Sequence, residues 1–155
     1  MNSLLFHNKS TMNSDKWKIY VNGYKNEIDL YHRIDSDWLE GGIKLYLGNE
    51  EYSIPLSLLL VEELHDFLNW LIKKQSGIET NPIFQFMDTV LCFETVTSDN
   101  EFYLKLNLNR INKKQISIIS QISGPQSEMR SIIEELNSLL TKYPCRCNNQ
   151  HIILT

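Results

Sequence analysis

The sequence predicts an α+β fold: an antiparallel β-sheet built from hairpins, with two amphipathic helices packed against it. Three observations carry this. Several short segments alternate apolar and polar residues and are separated by turn signals. Two longer segments repeat apolar residues at helical spacing. No linker or low-complexity stretch divides the 155 residues, a length that suits one domain.

The elements follow in chain order. Residues 1–15 are mostly polar around Leu4, Leu5 and Phe6 and read as a flexible N-terminal arm ahead of a single domain over 16–155. Trp17, Ile19 and Val21 then alternate with Lys18, Tyr20 and Asn22. Asn22-Gly23 is a strong turn signal, and Ile28, Leu30 and His32 form the expected second strand of that hairpin. Ile43, Leu45 and Leu47 oppose Lys44 and Tyr46, and Gly48-Asn49 turns the chain into "EEYSI". Gly41-Gly42 predicts a bulge or a close backbone approach.

The period then changes. Leu60, Leu64, Phe67, Leu68 and Leu71 recur at helical spacing and predict a helix over about 57–75. Ser57 serves as the expected N-cap. Glu62 and Glu63 at one end and Lys73 and Lys74 at the other complement the helix dipole. Gly77 suits the left-handed C-terminal position.

Strands return after Asn81-Pro82, as "IFQF", "VLCFETV", "EFYLKLNL" and "ISIISQI". Asp99-Asn100 is a turn, and "NRINKKQ" is a basic loop. Gly124-Pro125 begins the second helix, with proline at its first position. Met129, Ile132, Ile133, Leu136, Leu140 and Tyr143 form its apolar stripe, and Pro144 stops it. The tail "HIILT" reads as a short strand. Strands joined by tight turns pair antiparallel, and each one-sided helix needs a sheet or another helix to cover it.

Composition narrows the function classes. Apolar residues are 42% and charged residues 22%, ordinary for a soluble globular protein. Net charge is −4 with a pI near 5.5, which gives no electrostatic reason to bind nucleic acid and suits a basic partner. No apolar run approaches the ~18 residues of a membrane span. The N-terminus lacks the pattern of a signal peptide, so the expected compartment is the cytoplasm. Three cysteines do not suggest a secreted disulfide framework.

Chemical motifs are scarce. There is no P-loop, dinucleotide fingerprint or nucleophile elbow. His7, His32, His65 and His151 are scattered, and "EELH" lacks the second histidine of a zinc-protease helix. Cys92 sits between apolar neighbours, as a buried inert thiol does. In "KYPCRCNNQH", Cys145, Cys147 and His151 fall short of the four ligands of a structural zinc site. The two cysteines also follow a helix C-terminus, where the dipole does not favour thiolate. No metal, cofactor or catalytic residue is expected.

Carboxylates cluster at Asp35, Asp37 and Glu40, and again at Glu50 and Glu51. Solvated hairpin turns are one reading. The other is an acidic contact surface around Trp38, Tyr31 and Tyr46, since aromatics flanked by acids can anchor a protein interface.

The order of several motifs resembles the WapI-type immunity proteins of bacterial polymorphic toxin systems. "DSDWLEGGIKLYL" is similar to that family's Asp-x-x-Trp-Leu segment leading into a strand. "VEELHDFLNWLIKK" is similar to its central helix, and "FQFMDTVLCFE" to its Phe-x-x-acid-x-x-Leu-x-Phe-Glu strand pair. "IIEELNSLLTKYPCR" resembles its closing helix, which ends in aromatic-Pro-x-Arg. The family's acid-Pro-Asn-Leu turn appears here as Asp88-Thr89-Val90-Leu91, without the proline, and its Pro-Pro-Trp stretch has no counterpart.

The resemblance implies a small cytosolic protein that binds and neutralises the C-terminal domain of a cognate toxin by stoichiometric contact, without catalysis, as in contact-dependent inhibition. The alternative is a non-catalytic regulatory or assembly module for another protein. For a basic toxin, the expected contacts are Asp35, Asp37, Trp38, Glu40, Glu50 and Glu51. The resemblance also gives Arg146 a structural role, pairing with a carboxylate or with free carbonyl oxygens near the helix end.

Overall fold

Period-two alternation builds two antiparallel sheets, where the sequence suggested one. The computed structural model describes residues 15–26, 37–78, 81–109, 115–125 and 127–146. The first sheet has the order β1 (Lys16–Tyr24), β2 (Leu39–Leu47), β3 (Glu50–Pro55). The second runs β4 (Ile83–Gln85), β5 (Leu91–Ser98), β6 (Glu101–Asn109), β7 (Gln115–Gln121). Helix α1 (Val61–Gln75) joins the sheets in sequence, and α2 (Met129–Lys142) follows β7.

Asn22-Gly23 is not the turn that its composition suggested. It lies inside β1, where the pairing with β2 slips between Val21 and Gly23. The pair marks an irregularity in a continuous strand, one of the other uses of glycine in a sheet. The strand expected around Ile28–His32, the arm before Asp15, most of the basic loop and the tail beyond Arg146 lie outside the described residues.

Gly41-Gly42 is the close approach that the sequence proposed. A Cβ on Gly41 would overlap the carbonyl oxygen of Tyr20, and one on Gly42 would overlap that of Ile54. The middle strand therefore needs glycine against both of its neighbours. The turn at Asp99 and Asn100 also holds. Both residues are left-handed, with φ of 53° and 65°, as a two-residue hairpin loop requires.

Both helices start later than the sequence suggested. Ser57 does not cap α1. The chain continues extended to Leu60, which bridges Trp38, and the Ser57 N–H goes to Asp88. The far end of α1 behaves as expected. Gly77 has φ of 76°, its N–H donates to Lys74, and Ile78 N–H donates to Lys73, closing a Schellman motif. At α2, Pro125 sits in a turn closed by Ser127 N–H to the Gly124 carbonyl (3.2 Å), and the helix begins at Met129.

One apolar core joins these elements. Ile43 and Leu45 of the first sheet, Phe93, Leu104 and Leu106 of the second, and Leu64, Phe67 and Leu71 of α1 are fully or almost fully buried. Phe67 touches four rings, those of Trp70, Phe84, Phe86 and Phe93. The two helices pack on each other. Trp17 ties the sheets together: its Nε1–H donates to Ser120 Oγ at 3.0 Å, and its ring lies 5.0 Å from that of Phe93.

Candidate functional site

Among the described residues, the acids singled out by sequence do not form one patch. Glu40 is exposed near the start of β2. Glu50 and Glu51 are exposed on β3, and Glu50 pairs with Leu47 at the far end of β2. At about 3.3 Å per residue, that length of strand separates them by roughly 23 Å. Trp38 is half-buried at its bridge to Leu60. Asp35 and Tyr31 lie outside the described residues. Tyr52, exposed on β3, donates its hydroxyl hydrogen bond to Glu50; that bond and the carboxylate charge raise the tyrosine's pKa. Glu51 makes a long, exposed ion pair with Lys44 at 3.8 Å, a contact of little energetic weight.

Asp37 is fully buried. Its carboxylate accepts the Arg146 backbone N–H at 2.7 Å and the Cys145 thiol at 2.8 Å. The Arg146 guanidinium lies over the Tyr24 ring, 3.6 Å from its centroid, and donates to the Asn26 carbonyl at 2.7 Å. Tyr24 donates its hydroxyl to the Pro144 carbonyl at 2.6 Å, and its ring meets Tyr143 edge-on. Burial, offset in part by the Arg146 charge, raises the Tyr24 pKa. These residues form a clasp that fixes the end of α2 to both Asn26 and Asp37. Asp37 is a structural member of it, and its full burial denies it the surface contact that its acidic neighbours suggested. Arg146 fills the expected structural role, though the carbonyl that it meets belongs to Asn26 rather than to the helix end.

A second buried acid lies at the start of α1. Glu63 is 9% exposed and accepts the Met87 N–H through Oε2, while its Oε1 has no partner among the described residues. Burial pushes its carboxyl above the usual range; Asp88 and Asp66 push the same way, and the Met87 N–H pulls against them. Asp88, equally buried, accepts the N–H groups of Ser57 (2.7 Å), Leu58 (3.4 Å) and Val90 (3.2 Å). The two carboxylates thus hold the β4–β5 loop and the chain entering α1. Sequence reading treated Glu63 as a dipole residue only. Its place on the stripe between Leu60 and Phe67 was the signal that it would be buried.

The remaining chemistry is sparse. Cys92 is half-buried, and burial with the Glu94 charge raises its thiol pKa, the opposite of an activated nucleophile. His65 is exposed on α1. Among the described residues no three of His, Cys, Asp and Glu converge as a metal site; Cys147 and His151 lie outside them. A groove of about 430 Å³ runs between the end of α1 and the second sheet, lined by Ile78, Phe102 and Ile122 with Lys74 and without a carboxylate. Another lies between β1 and α2, where Glu134 and Glu135 are both exposed to solvent. No described helix is long and apolar enough to cross a membrane.

Comparison with known proteins gives one finding of similarity. The family described as the Immunity protein WapI-like family matches residues 7–144. No curated protein and no solved structure matches the chain.

Proposed function

The chain belongs to the WapI-like immunity protein family, and on that premise we propose that it neutralises a cognate toxin domain by binding it. The family match across residues 7–144 carries this reading. The mechanism is stoichiometric contact: the protein covers the toxin's active site or a neighbouring surface and performs no chemistry of its own. It acts in the cytoplasm, where the toxin would otherwise reach its target.

The physical features fit that task. A continuous core fixes both sheets and both helices, so the backbone that presents the exposed side chains has little conformational freedom left to lose on binding. Glu40, Glu50 and Glu51 reach solvent and are candidate contacts, with Trp38 beside Glu40. The net charge of −4 favours encounter with a basic toxin and raises the association rate more than the final affinity.

Co-expression with the toxin domain encoded just upstream of this chain's gene tests the proposal. Cells expressing the toxin survive, and the two proteins co-purify in a fixed ratio. Death of the cells together with the absence of a complex would refute it.

A further inference from the structure

The face at the start of α1 carries more acid than the helix dipole accounts for. Glu62 and Glu63 occupy the first turn, where negative charge is favourable. Asp66 stands one turn on, and Asp88 is brought beside Glu63 from the β4–β5 loop. No ion pair among the described residues includes any of these four, whereas Glu51 and Glu94 on the sheets each meet a lysine. The nearby Lys25 Nζ donates to the Ser57 carbonyl at 2.7 Å. Carboxylates brought together without an ion pair repel one another, and one buried Glu63 oxygen has no partner among the described residues.

Two exposed apolar side chains flank this charge. Leu58 is 39% exposed, and its N–H points at the Asp88 carboxylate. Met87 is 49% exposed, and its N–H is held by Glu63. Leu58 also runs beside the start of β2, where Leu39 N–H donates to the Leu59 carbonyl and Glu40 is exposed. The face therefore combines apolar side chains, carboxylates that make no ion pair among the described residues and a backbone pinned at three N–H groups by Asp88.

We infer that this face is where the toxin docks, and that it receives an arginine or lysine of a basic toxin surface. This rests on the neutralisation reading above. Leu58 and Met87 pack against the aliphatic stem of that side chain, because long cationic side chains cover apolar surface while their charge stays at its edge. Glu62 and Asp66 meet the charge directly, and Glu63 and Asp88 hold a negative field behind them. A basic occupant is the one that relieves the repulsion already present, while an acidic or neutral one leaves it in place.

The test is the affinity of the full chain and its variants for the same upstream toxin domain, measured at low and at moderate salt. Asp66 and Met87 are exposed, so Asp66→Lys and Met87→Asp leave melting temperatures near the wild-type value. Each weakens binding by about tenfold or more, and Asp66→Lys also flattens the salt dependence. Glu134→Lys, the same charge change on exposed α2, alters affinity by less than about twofold. Wild-type affinity in both Asp66→Lys and Met87→Asp, or an equal loss in Glu134→Lys, overturns this inference and leaves the neutralisation reading standing. A wild-type chain that forms no complex overturns both.

Discussion

Removing the Arg146 side chain isolates one half of the clasp. Arg146→Ala leaves the backbone N–H on Asp37, so the buried carboxylate keeps that partner. Among the described contacts, the guanidinium over Tyr24 at 3.6 Å and its hydrogen bond to the Asn26 carbonyl at 2.7 Å go. A partly desolvated cation on a ring contributes about 1 kcal/mol, and a charged hydrogen bond about 1.5 kcal/mol. The expected loss is therefore about 2–3 kcal/mol, read from urea unfolding as a lower midpoint with an unchanged slope. Arg146→Lys keeps the charge but not the flat face, and recovers less than half of the loss. Tyr24→Ala combined with Arg146→Ala closes a double-mutant cycle whose coupling is about 0.5–2 kcal/mol. A loss below about 0.5 kcal/mol in Arg146→Ala, or a coupling of zero, would refute the clasp as a stabilising unit.

Two further perturbations test the interior. The raised pKa of Glu63 means that the folded state binds its proton more tightly than the unfolded state does. Its contribution to stability is thus favourable at low pH and is lost as pH rises from the ordinary carboxylate range through the raised folded value. Glu63→Gln removes that dependence, so its stability relative to wild type improves as pH rises from acid to neutral; a difference that is flat with pH sinks the assignment. Gly42→Ala places a methyl against the Ile54 backbone, which cannot move without breaking the β2–β3 pairing, and destabilises by about 1–3 kcal/mol in thermal unfolding. Wild-type stability in that variant would mean that the strands can separate cheaply.

Local chemistry was legible wherever the residues themselves decide the outcome. The alternation of β6 places Leu104, Leu106 and Leu108 inside, and the stripe of α1 places Leu64, Phe67 and Leu71 inside. Gly77 and Asp99-Asn100 adopt the backbone that their types favour. The misreadings share one cause, a distant partner. Asn22-Gly23 is compatible with a turn or a bulge, and only the pairing of β1 with β2 selects the bulge. Ser57 looks like a cap until the bridge to Trp38 keeps the chain extended as far as Leu60. Asp37 reads as a surface acid among Asp35 and Glu40, but the N–H that it holds belongs to a residue 109 positions later. The candidate docking face was hidden for the same reason, because it is assembled from α1 and the β4–β5 loop.

The β3 strand has a further consequence for the protein's solution life. It is the open edge of the first sheet, bonded only to β2 among the described strands and exposed along almost all of its length. Such an edge is a template on which a second copy could add a strand and begin a fibre. Glu50 and Glu51 place charge along that edge, and Pro55 offers no N–H to a newcomer. The same carboxylates that sequence reading set aside for a toxin are thus gatekeepers against self-association. A protein that must stay available for a different partner has reason to keep them even if no toxin ever touches them.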